Sequence, residues 1–506
     1  MIIPLKAHFQ STPSVEHVAG SASWAQLDHF DQLRPLQAQV ECQKQKIYYV
    51  CDNPNSITLE VRNPHRIYRI QRIVLRGAQL EILVESPEGK DAQAEDWQNC
   101  IAIDLANTAG VSWANTGSCR CLELQNGAAM FVAEPSSTEP HLSQLFDACM
   151  LAQFEQIQLF KAVTASIISI VGSQLPDISQ LLHNSYNYKD WCELYIQGEW
   201  TRVFCYVDKS SKSKGKHKIK FFKDDKSTSS KNVLCYISET DSVEDLLFVL
   251  DPASSLTDPS NLTPKSADEV DPLFLGSARD SRASLHTLLA GLTTLRYVGE
   301  VHWPPKTAER SRSSSLSFST HKRAGSSGSL ASSLASTFTS PKKHARTNST
   351  VSTSSSDENH AMCATTSELL IRPIPHNGVH RLESMVRAAL PMMGCLGLYG
   401  RPLSFKTTRT DADSLVLGLP RLPVVDYFAR EELPNLFEYS HNLLSPSDPF
   451  FKYVAAYKTF LQESLKEPHR DSRSFSTLSD VLGSGDNSHN MSIFTNSCST
   501  SSSALI

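Results

Sequence analysis

The sequence twice changes from short alternating segments to one long helical stripe, and this repeated change of period limits the possible folds. The clearest alternating segment is residues 78–85, where apolar residues alternate with Gln79 and Glu81, as in a half-buried strand. Asn126-Gly127 separates two further segments and is a strong signal for a two-residue hairpin. Residues 41 to 175 are therefore predicted to begin as a series of short antiparallel strands.

A helical stripe follows these strands. From residue 142 to residue 149, apolar residues recur at the i, i+3, i+4, i+7 spacing of a helix that lies on a sheet. Thr138 is a suitable cap for this helix, and Gly172 and Pro176 are expected to end it.

A second copy of this pattern begins near residue 189, but a long segment interrupts it. Residues 304–365 are Ser-rich and have almost no apolar period, so we expect them to be disordered. A second helical stripe follows at residues 382–393, where Asn377 is the expected cap and Pro391 is expected to kink or end the helix. Alternatively, residues 366–440 form a separate helical domain.

Short antiparallel strands closed by one amphipathic helix are the plan of a pleckstrin-homology (PH) barrel. We therefore predict an α+β fold with two PH-like β-barrels, each closed by a C-terminal amphipathic helix, the second interrupted by the disordered insertion. A generic α+β domain is the alternative for the first barrel. The predicted domains are a flexible leader (1–40), PH-like domain 1 (41–175), PH-like domain 2 (186–440), an amphipathic helix (447–467) and a disordered tail (468–506).

The amphipathic helix has Ser447 as its expected cap and Pro449 in its first turn. Its apolar stripe either packs back on the second barrel or docks on a partner or a membrane surface.

Two blocks carry a family resemblance: DWCELYI with GEWTRVFCYV at residues 190–207, and LYGRPLSFKTTRTDADSLVLGLP at residues 398–420. They resemble fungal PH-domain proteins of the bud neck and cell cortex, whose best-known member is an accessory factor of the carbon catabolite repression–Not deadenylase complex. The resemblance implies a cytoplasmic protein, peripheral at the cell cortex, bud neck or division site. Its implied protein partners are the deadenylase complex or cortical polarity proteins.

The sharpest local feature is a lysine-rich segment that predicts contact with an anionic phospholipid membrane. Arg202 is the candidate for a positioned phosphate ligand. Gln197 stands where a basic residue would support a specific phosphoinositide pocket, so diffuse attraction is favoured. The candidate lipid-binding residues are Arg202, Lys209, Lys212, Lys214, Lys216, Lys218 and Lys220.

Two alternatives remain for this segment. It is either a solvated basic loop without a ligand or, as a weaker hypothesis, an RNA-binding site that uses Phe221 and Phe222.

Basic residues precede several serines of the insertion by three positions, and Ser340 is followed by proline. Phosphorylation there would add negative charge and weaken attraction to anionic lipid. Alternatively, a Ser-rich linker produces such matches by chance. The candidate phosphorylation sites are Ser313, Ser315, Ser326, Ser340 and Ser349.

Other functions lack support in the sequence. A formal net charge of -5 argues against a protein built to coat nucleic acid, so no DNA partner is expected. Twelve cysteines occur without a CxxC pair, which favours buried free thiols over a zinc site. We find no catalytic motif, metal site, cofactor site or membrane-spanning segment. The acidic element at residues 411–414 could suggest a carboxylate pair but is better explained as a turn or helix cap.

Overall fold

The computed structural model describes most of both predicted barrels. The described residues are 27–54, 56–62, 65–85, 99–106, 111–116, 119–124, 129–133, 140–183, 187–196, 198–208, 218–226, 228, 232–238, 245–251, 281–304, 364–398, 409–421, 424–466 and 494–496.

The first barrel consists of antiparallel strands in the order β5-β4-β3-β2-β8-β7-β6. An additional strand, β1, pairs with the second half of β3, whereas β2 pairs with the first half. The strands are β1 (Ile47–Asp52), β2 (Ile57–Arg62), β3 (His65–Arg76), β4 (Gln79–Val84), β5 (Asn99–Asp104), β6 (Val111–Thr116), β7 (Cys119–Leu124) and β8 (Ala129–Ala133).

The second barrel repeats this topology, with the order β12-β11-β10-β9-β15-β14-β13. Its strands are β9 (Lys189–Ile196), β10 (Glu199–Asp208), β11 (Lys218–Phe222), β12 (Val233–Ser238), β13 (Asp245–Leu250), β14 (Leu292–Trp303) and β15 (Ala364–Pro373). Because β15 lies between β9 and β14, the chain returns to the same sheet after the Ser-rich segment. The prediction of a split second barrel is confirmed, and the separate helical domain is excluded. The predicted disorder of the insertion falls on residues 305–363, outside the described part.

The helices are α1 (Arg34–Gln45), α2 (Pro140–Gly172), α3 (Ile178–Leu181), α4 (Ser281–Gly291), α5 (Arg381–Leu396), α6 (Leu433–Leu443) and α7 (Phe450–Ser464). Two 3-10 helices, Leu27–Leu33 and Arg430–Glu432, precede α1 and α6. Helices α2 and α5 follow the last strands of the two barrels, as predicted from their apolar stripes.

The leader is not flexible throughout, because residues 27–45 form a 3-10 helix and α1. Helix α1 buries Gln37, Gln39 and Gln43 beside its apolar residues, so a hydrophobic period could not reveal it. Gln39 shows why glutamine is tolerated there, since its Nε2 donates to the Pro420 carbonyl at 2.7 Å.

The predicted boundaries of α5 were wrong. The helix is capped by His380, whose Nδ1 accepts a hydrogen bond from the Leu382 amide, whereas Asn377 lies in the preceding turn. Pro391 neither ends nor interrupts the helix, which continues to Leu396 and stops before Gly397. Burial of the last helical turn offsets the hydrogen bond that the proline removes.

Two smaller predictions concern the C-terminal part. Helix α7 begins at Phe450, and Pro449 is its N-cap. Ser447 is therefore not the cap, and Pro449 does not lie in the first turn. Within the tail that was predicted to be disordered, residues 494–496 form β16, which pairs in parallel with β1.

Helix α2 joins the two barrels into one compact unit. It contacts β1 and β6 of the first barrel, β13 of the second, and helices α1, α5 and α7. By length and composition, α2 is the one described helix that could cross a membrane, but most of it is buried inside the protein, as in a core helix. Helix α7 packs on α2 and on β14 of the second barrel. This agrees with the expectation that its apolar stripe packs back on the second barrel.

A cluster of buried ion pairs links α2 and α7 to the second barrel. Lys161 of α2 and Lys458 of α7 both pair with Asp245 of β13, and the Lys161–Asp245 distance is 3.0 Å. Burial lowers the pKa of Lys161 to about 8 despite the attraction of Asp245. Although burial alone would raise the pKa of Asp245, the two lysines hold it below its usual value.

Removing the shared carboxylate should cost far more stability than removing one lysine. We expect Asp245→Asn to lower the free energy of unfolding by about 3–5 kcal/mol, because two buried ammonium groups lose their counterion. Lys161→Met keeps the Asp245–Lys458 pair and should change the free energy by less than about 1.5 kcal/mol. Urea denaturation of both variants measures the difference, and equal losses would contradict the shared role of Asp245.

The same cluster predicts a pH dependence. Because the folded-state pKa of Lys161 lies near 8, below the ordinary 10.5, the unfolded chain binds more protons between these values. The free energy of unfolding should therefore rise with pH across this window, relative to the Lys161→Met variant. Denaturation curves of both proteins at pH 7.5 and about pH 10 test the sign, and an unchanged difference would contradict it.

Candidate cationic surface of the second barrel

The lysine-rich segment is the connection between two paired strands. Strands β10 and β11 pair antiparallel as far as Asp208 opposite Lys218, so residues 209–217 join their ends. Lys209, Lys212, Lys214 and Lys216 lie in this connection, outside the described residues. Lys218 is the first residue of β11.

Next to this connection, a row of alternating cationic and aromatic residues crosses five strands. We call it the lysine–tyrosine row. Its members are neighbours in the sheet register, in the order Lys189 (β9), Tyr206 (β10), Lys220 (β11), Tyr236 (β12) and His302 (β14).

The row holds its side chains together by ring contacts. The Nζ of Lys189 lies 4.6 Å from the centroid of the Tyr206 ring, and the Nζ of Lys220 lies 6.0 Å from it. Tyr236 stacks on His302 with the ring centroids 4.9 Å apart. Such cation–aromatic contacts contribute about 0.5–1 kcal/mol at exposed sites.

Strand alternation explains why the row faces outward. In β10, Val203, Cys205 and Val207 are buried in the barrel, so Tyr206 and Asp208 point to the other face. Lys220 follows the same rule, because its neighbours Ile219 and Phe221 are buried.

The positive charge of the row is only partly compensated. Lys220 donates a hydrogen bond to Asp208 at 3.3 Å, whereas Lys189 has no ion pair with a described residue. Burial, followed by the nearby Asp208, raises the pKa of Tyr206, so its hydroxyl stays protonated at neutral pH. The row can therefore present ammonium groups and a phenol to an anionic group.

Arg202 lies away from the end of β10 at which the lysine-rich connection begins. Arg202 lies six residues before Asp208 on β10, which corresponds to about 20 Å along a strand. Its guanidinium instead lies over the ring of Trp191, 4.7 Å from the centroid. In the sheet register it is opposite Glu193 of β9.

Arg372, which the sequence did not single out, lies on the other side of Glu193. It donates to Asp251 at 2.7 Å and to Glu193 at 3.5 Å, and its guanidinium lies 3.8 Å from the centroid of Trp200. Arg372 is thus held by two carboxylates, whereas the role of Arg202 as a phosphate ligand stays a prediction. Only cross-strand register, which a sequence does not reveal, places these residues together.

The residues behind the RNA hypothesis are not accessible. Phe221 and Phe222 are both fully buried, although they are consecutive in the strand. Phe221 belongs to the hydrophobic core, and a register shift in the β11–β12 pairing lies between the two residues. The two rings are therefore not available for stacking with bases, as the hypothesis of RNA binding requires.

A cavity of about 360 Å³ lies where β9 and α5 begin, and its polar groups are paired. His376 is 2.8 Å from Asp190, and Arg387 donates to Asp177 at 2.7 Å and to Glu383 at 2.8 Å. The hydrogen bond from Arg387 lowers the pKa of Asp177. These contacts link the turn after β15 to β9, and α5 to the residue that precedes α3.

The remaining candidates have structural explanations or lie outside the described residues. Asp411–Ser414 is a turn, in which Asp411 accepts hydrogen bonds from the amides of Asp413 and Ser414. Nine cysteines of the described part are free thiols, and seven of these are buried. No cluster of three potential metal ligands occurs among the described residues. The candidate phosphoserines fall within the undescribed insertion.

Comparison with known proteins identifies relatives in yeast. The uncharacterized protein YJL016W of Saccharomyces cerevisiae is 30% identical over 500 residues, which cover 92% of this chain and 82% of the yeast protein. The chain belongs to the family of YJL016W. A weaker similarity, 22% over 291 residues, links it to the CCR4-NOT transcriptional complex subunit CAF120 of the same organism.

The similarity to CAF120 is partial, because it covers 56% of this chain and 19% of CAF120. No family model matches the chain, and no solved structure matches it. The predicted resemblance is thus confirmed in part, by the yeast homologue and by the weak similarity to CAF120. The PH-like character rests on the strand order and closing helices of both barrels.

Proposed function

We propose that the protein is a non-catalytic adaptor that binds peripherally to anionic, phosphoinositide-containing membrane at the cytoplasmic face of the cell cortex, bud neck or division site. The observation that carries this proposal is the lysine-rich connection between β10 and β11, continued on the folded barrel by the lysine–tyrosine row. No cofactor is needed for this role.

The physical argument is one of local charge. Each lysine near an anionic leaflet contributes about 1 kcal/mol, so a cluster suffices for reversible binding. Lys189 and Lys220 extend this charge to the folded surface, where Tyr206 orients them. Because Arg202 is engaged with Trp191, diffuse attraction fits better than a specific headgroup pocket.

The insertion supplies a means of regulation for this adaptor. It joins β14 to β15 and carries the five candidate phosphoserines. Each phosphate would add a charge of about -1.5 to -2 and oppose the attraction to anionic lipid.

Neutralising the connection should abolish membrane binding. We expect the full chain to sediment with vesicles that contain phosphatidylserine and a phosphoinositide, and Ser replacement of Lys212, Lys214, Lys216 and Lys218 together to remove this sedimentation. The physical reason is the loss of about 4 kcal/mol of attraction to the anionic surface.

The matched control removes four exposed cations elsewhere, namely Arg34, Lys44, Lys452 and Lys466. Their surface ion pairs contribute little to stability, so this variant should fold and sediment as the wild type does. Unchanged sedimentation of the Lys212–Lys218 variant, or an equal loss in the control, would refute the role of the connection.

A second candidate function is suggested by CAF120, which is named as a subunit of the CCR4-NOT complex. In this alternative the barrels bind deadenylase subunits or other cortical proteins, and lipid binding is not the main activity.

Affinity purification of the tagged full chain separates the two functions. If the alternative is correct, deadenylase subunits should co-purify in stoichiometric amounts with both the wild type and the four-lysine variant. Membrane-dependent localisation that is lost in the four-lysine variant, without co-purifying deadenylase subunits, would exclude the alternative.

A further inference from the structure

The first barrel contains a basic segment without acidic residues. Residues 61–80 include five arginines and neither aspartate nor glutamate. The segment begins at the end of β2 and continues through β3. In a chain with a formal net charge of -5, this is a second local concentration of positive charge.

An aliphatic side chain is exposed within this basic segment. Ile67 of β3 is 64% exposed, and among the described residues Leu443 is the other large hydrophobic side chain exposed to a similar degree. Arg66 and Arg69 flank Ile67 and are exposed as well, whereas Tyr68 and Ile70 point into the barrel. An exposed isoleucine between arginines has no role in the packing of the barrel.

The charges around Ile67 are unequally compensated. Arg72 pairs with Asp52 at 3.0 Å, and Arg62 lies 3.5 Å from Glu123. Arg66 and Arg69 make no ion pair with any described residue. By strand alternation Arg69 shares the face of Ile67, and Arg66 is exposed next to it near the start of β3. Glu60 lies directly opposite Ile67 in the sheet register, and its carboxylate is 3.1 Å from His65.

We propose that the β2–β3 hairpin is a second membrane-docking surface, in which Ile67 inserts among the lipid headgroups while Arg66 and Arg69 bind lipid phosphates. The inference rests on the proposed membrane function but uses a surface of the other barrel. Guanidinium groups suit phosphate, and insertion of an apolar side chain between cations is the usual physics of peripheral binding.

The exposed side chain distinguishes a bilayer from a nucleic acid. Single-stranded nucleic acids are bound by aromatic rings on which bases stack. The aromatic residue of this segment, Tyr68, is buried, and the exposed residue is aliphatic. An anionic bilayer offers both phosphate for the arginines and an apolar layer for Ile67.

The test compares variants of the full chain in sedimentation with vesicles of phosphatidylcholine alone or with phosphatidylserine added. Ile67→Ser should weaken binding to the anionic vesicles by about tenfold, from the loss of buried apolar area. Arg66→Ser with Arg69→Ser should weaken it by about 25-fold at low salt. Leu443→Ser, which changes the other exposed hydrophobic residue, is the control and should bind as the wild type does.

Salt separates the two contributions. Raising the salt concentration screens the arginines but not the insertion of Ile67. The wild type should therefore retain a salt-resistant fraction of binding that Ile67→Ser lacks. Because all four residues are exposed, the variants should keep the thermal midpoint of the wild type, which shows that they are folded.

Each outcome has a distinct meaning. If the wild type binds and the four-lysine variant does not, while the Ile67 and arginine variants bind normally, the hairpin proposal falls and the proposed function stands. If the wild type does not bind, both fall. If only the hairpin variants lose vesicle binding, the hairpin proposal is supported and the β10–β11 connection has no role in binding. Binding of a single-stranded RNA that depends on Arg66 and Arg69 but not on Ile67 would replace the bilayer with RNA.

Discussion

Helix α2 is the element on which the rest of the structure depends, because it is buried by both barrels and still carries charged side chains. Asp147 bonds to His441 of α6, Glu155 to Lys46 and Tyr48 at the edge of the first barrel, and Lys161 to Asp245 of the second. A buried charge is tolerated only with a partner. The positions of three other parts of the chain are therefore fixed relative to one helix.

Arg296 makes the same connection from the second barrel. It is buried, pairs with Glu368 at 2.8 Å and donates to the carbonyl of Ala106, which follows the last residues of β5. The sequence predicted two barrels because each has its own strands and closing helix. It could not show that they share a core, since the partners in this polar network are separated by up to hundreds of residues.

Sequence patterns predicted elements whose stabilising contacts are local or periodic. The strands β4, β10 and β12 alternate clearly, and α5 shows a long apolar stripe. Helix α1 was missed because its buried face includes glutamines that are satisfied by distant groups. Pro391 misled the prediction of the end of α5, because burial of the final turn outweighs the lost hydrogen bond.

The sequence predicted the candidate surfaces only in part, because their residues come from different strands. A run of lysines can be recognised in one stretch of sequence, but the lysine–tyrosine row joins residues from five strands. In β3, the sequence analysis did not single out the arginines, and the exposure of Ile67 is what draws attention to them. The inner faces of both barrels are occupied by packing, so recognition must use the outer faces and the loops. There, Arg372 is paired with two carboxylates, whereas Arg66 and Arg69 of the Ile67 hairpin have no ion pair with a described residue. The lysine-rich connection contains no acidic residue of its own between positions 209 and 217. With a net negative chain around them, the field of these two positive surfaces extends only a short distance, which agrees with the reversible, salt-sensitive binding that we propose.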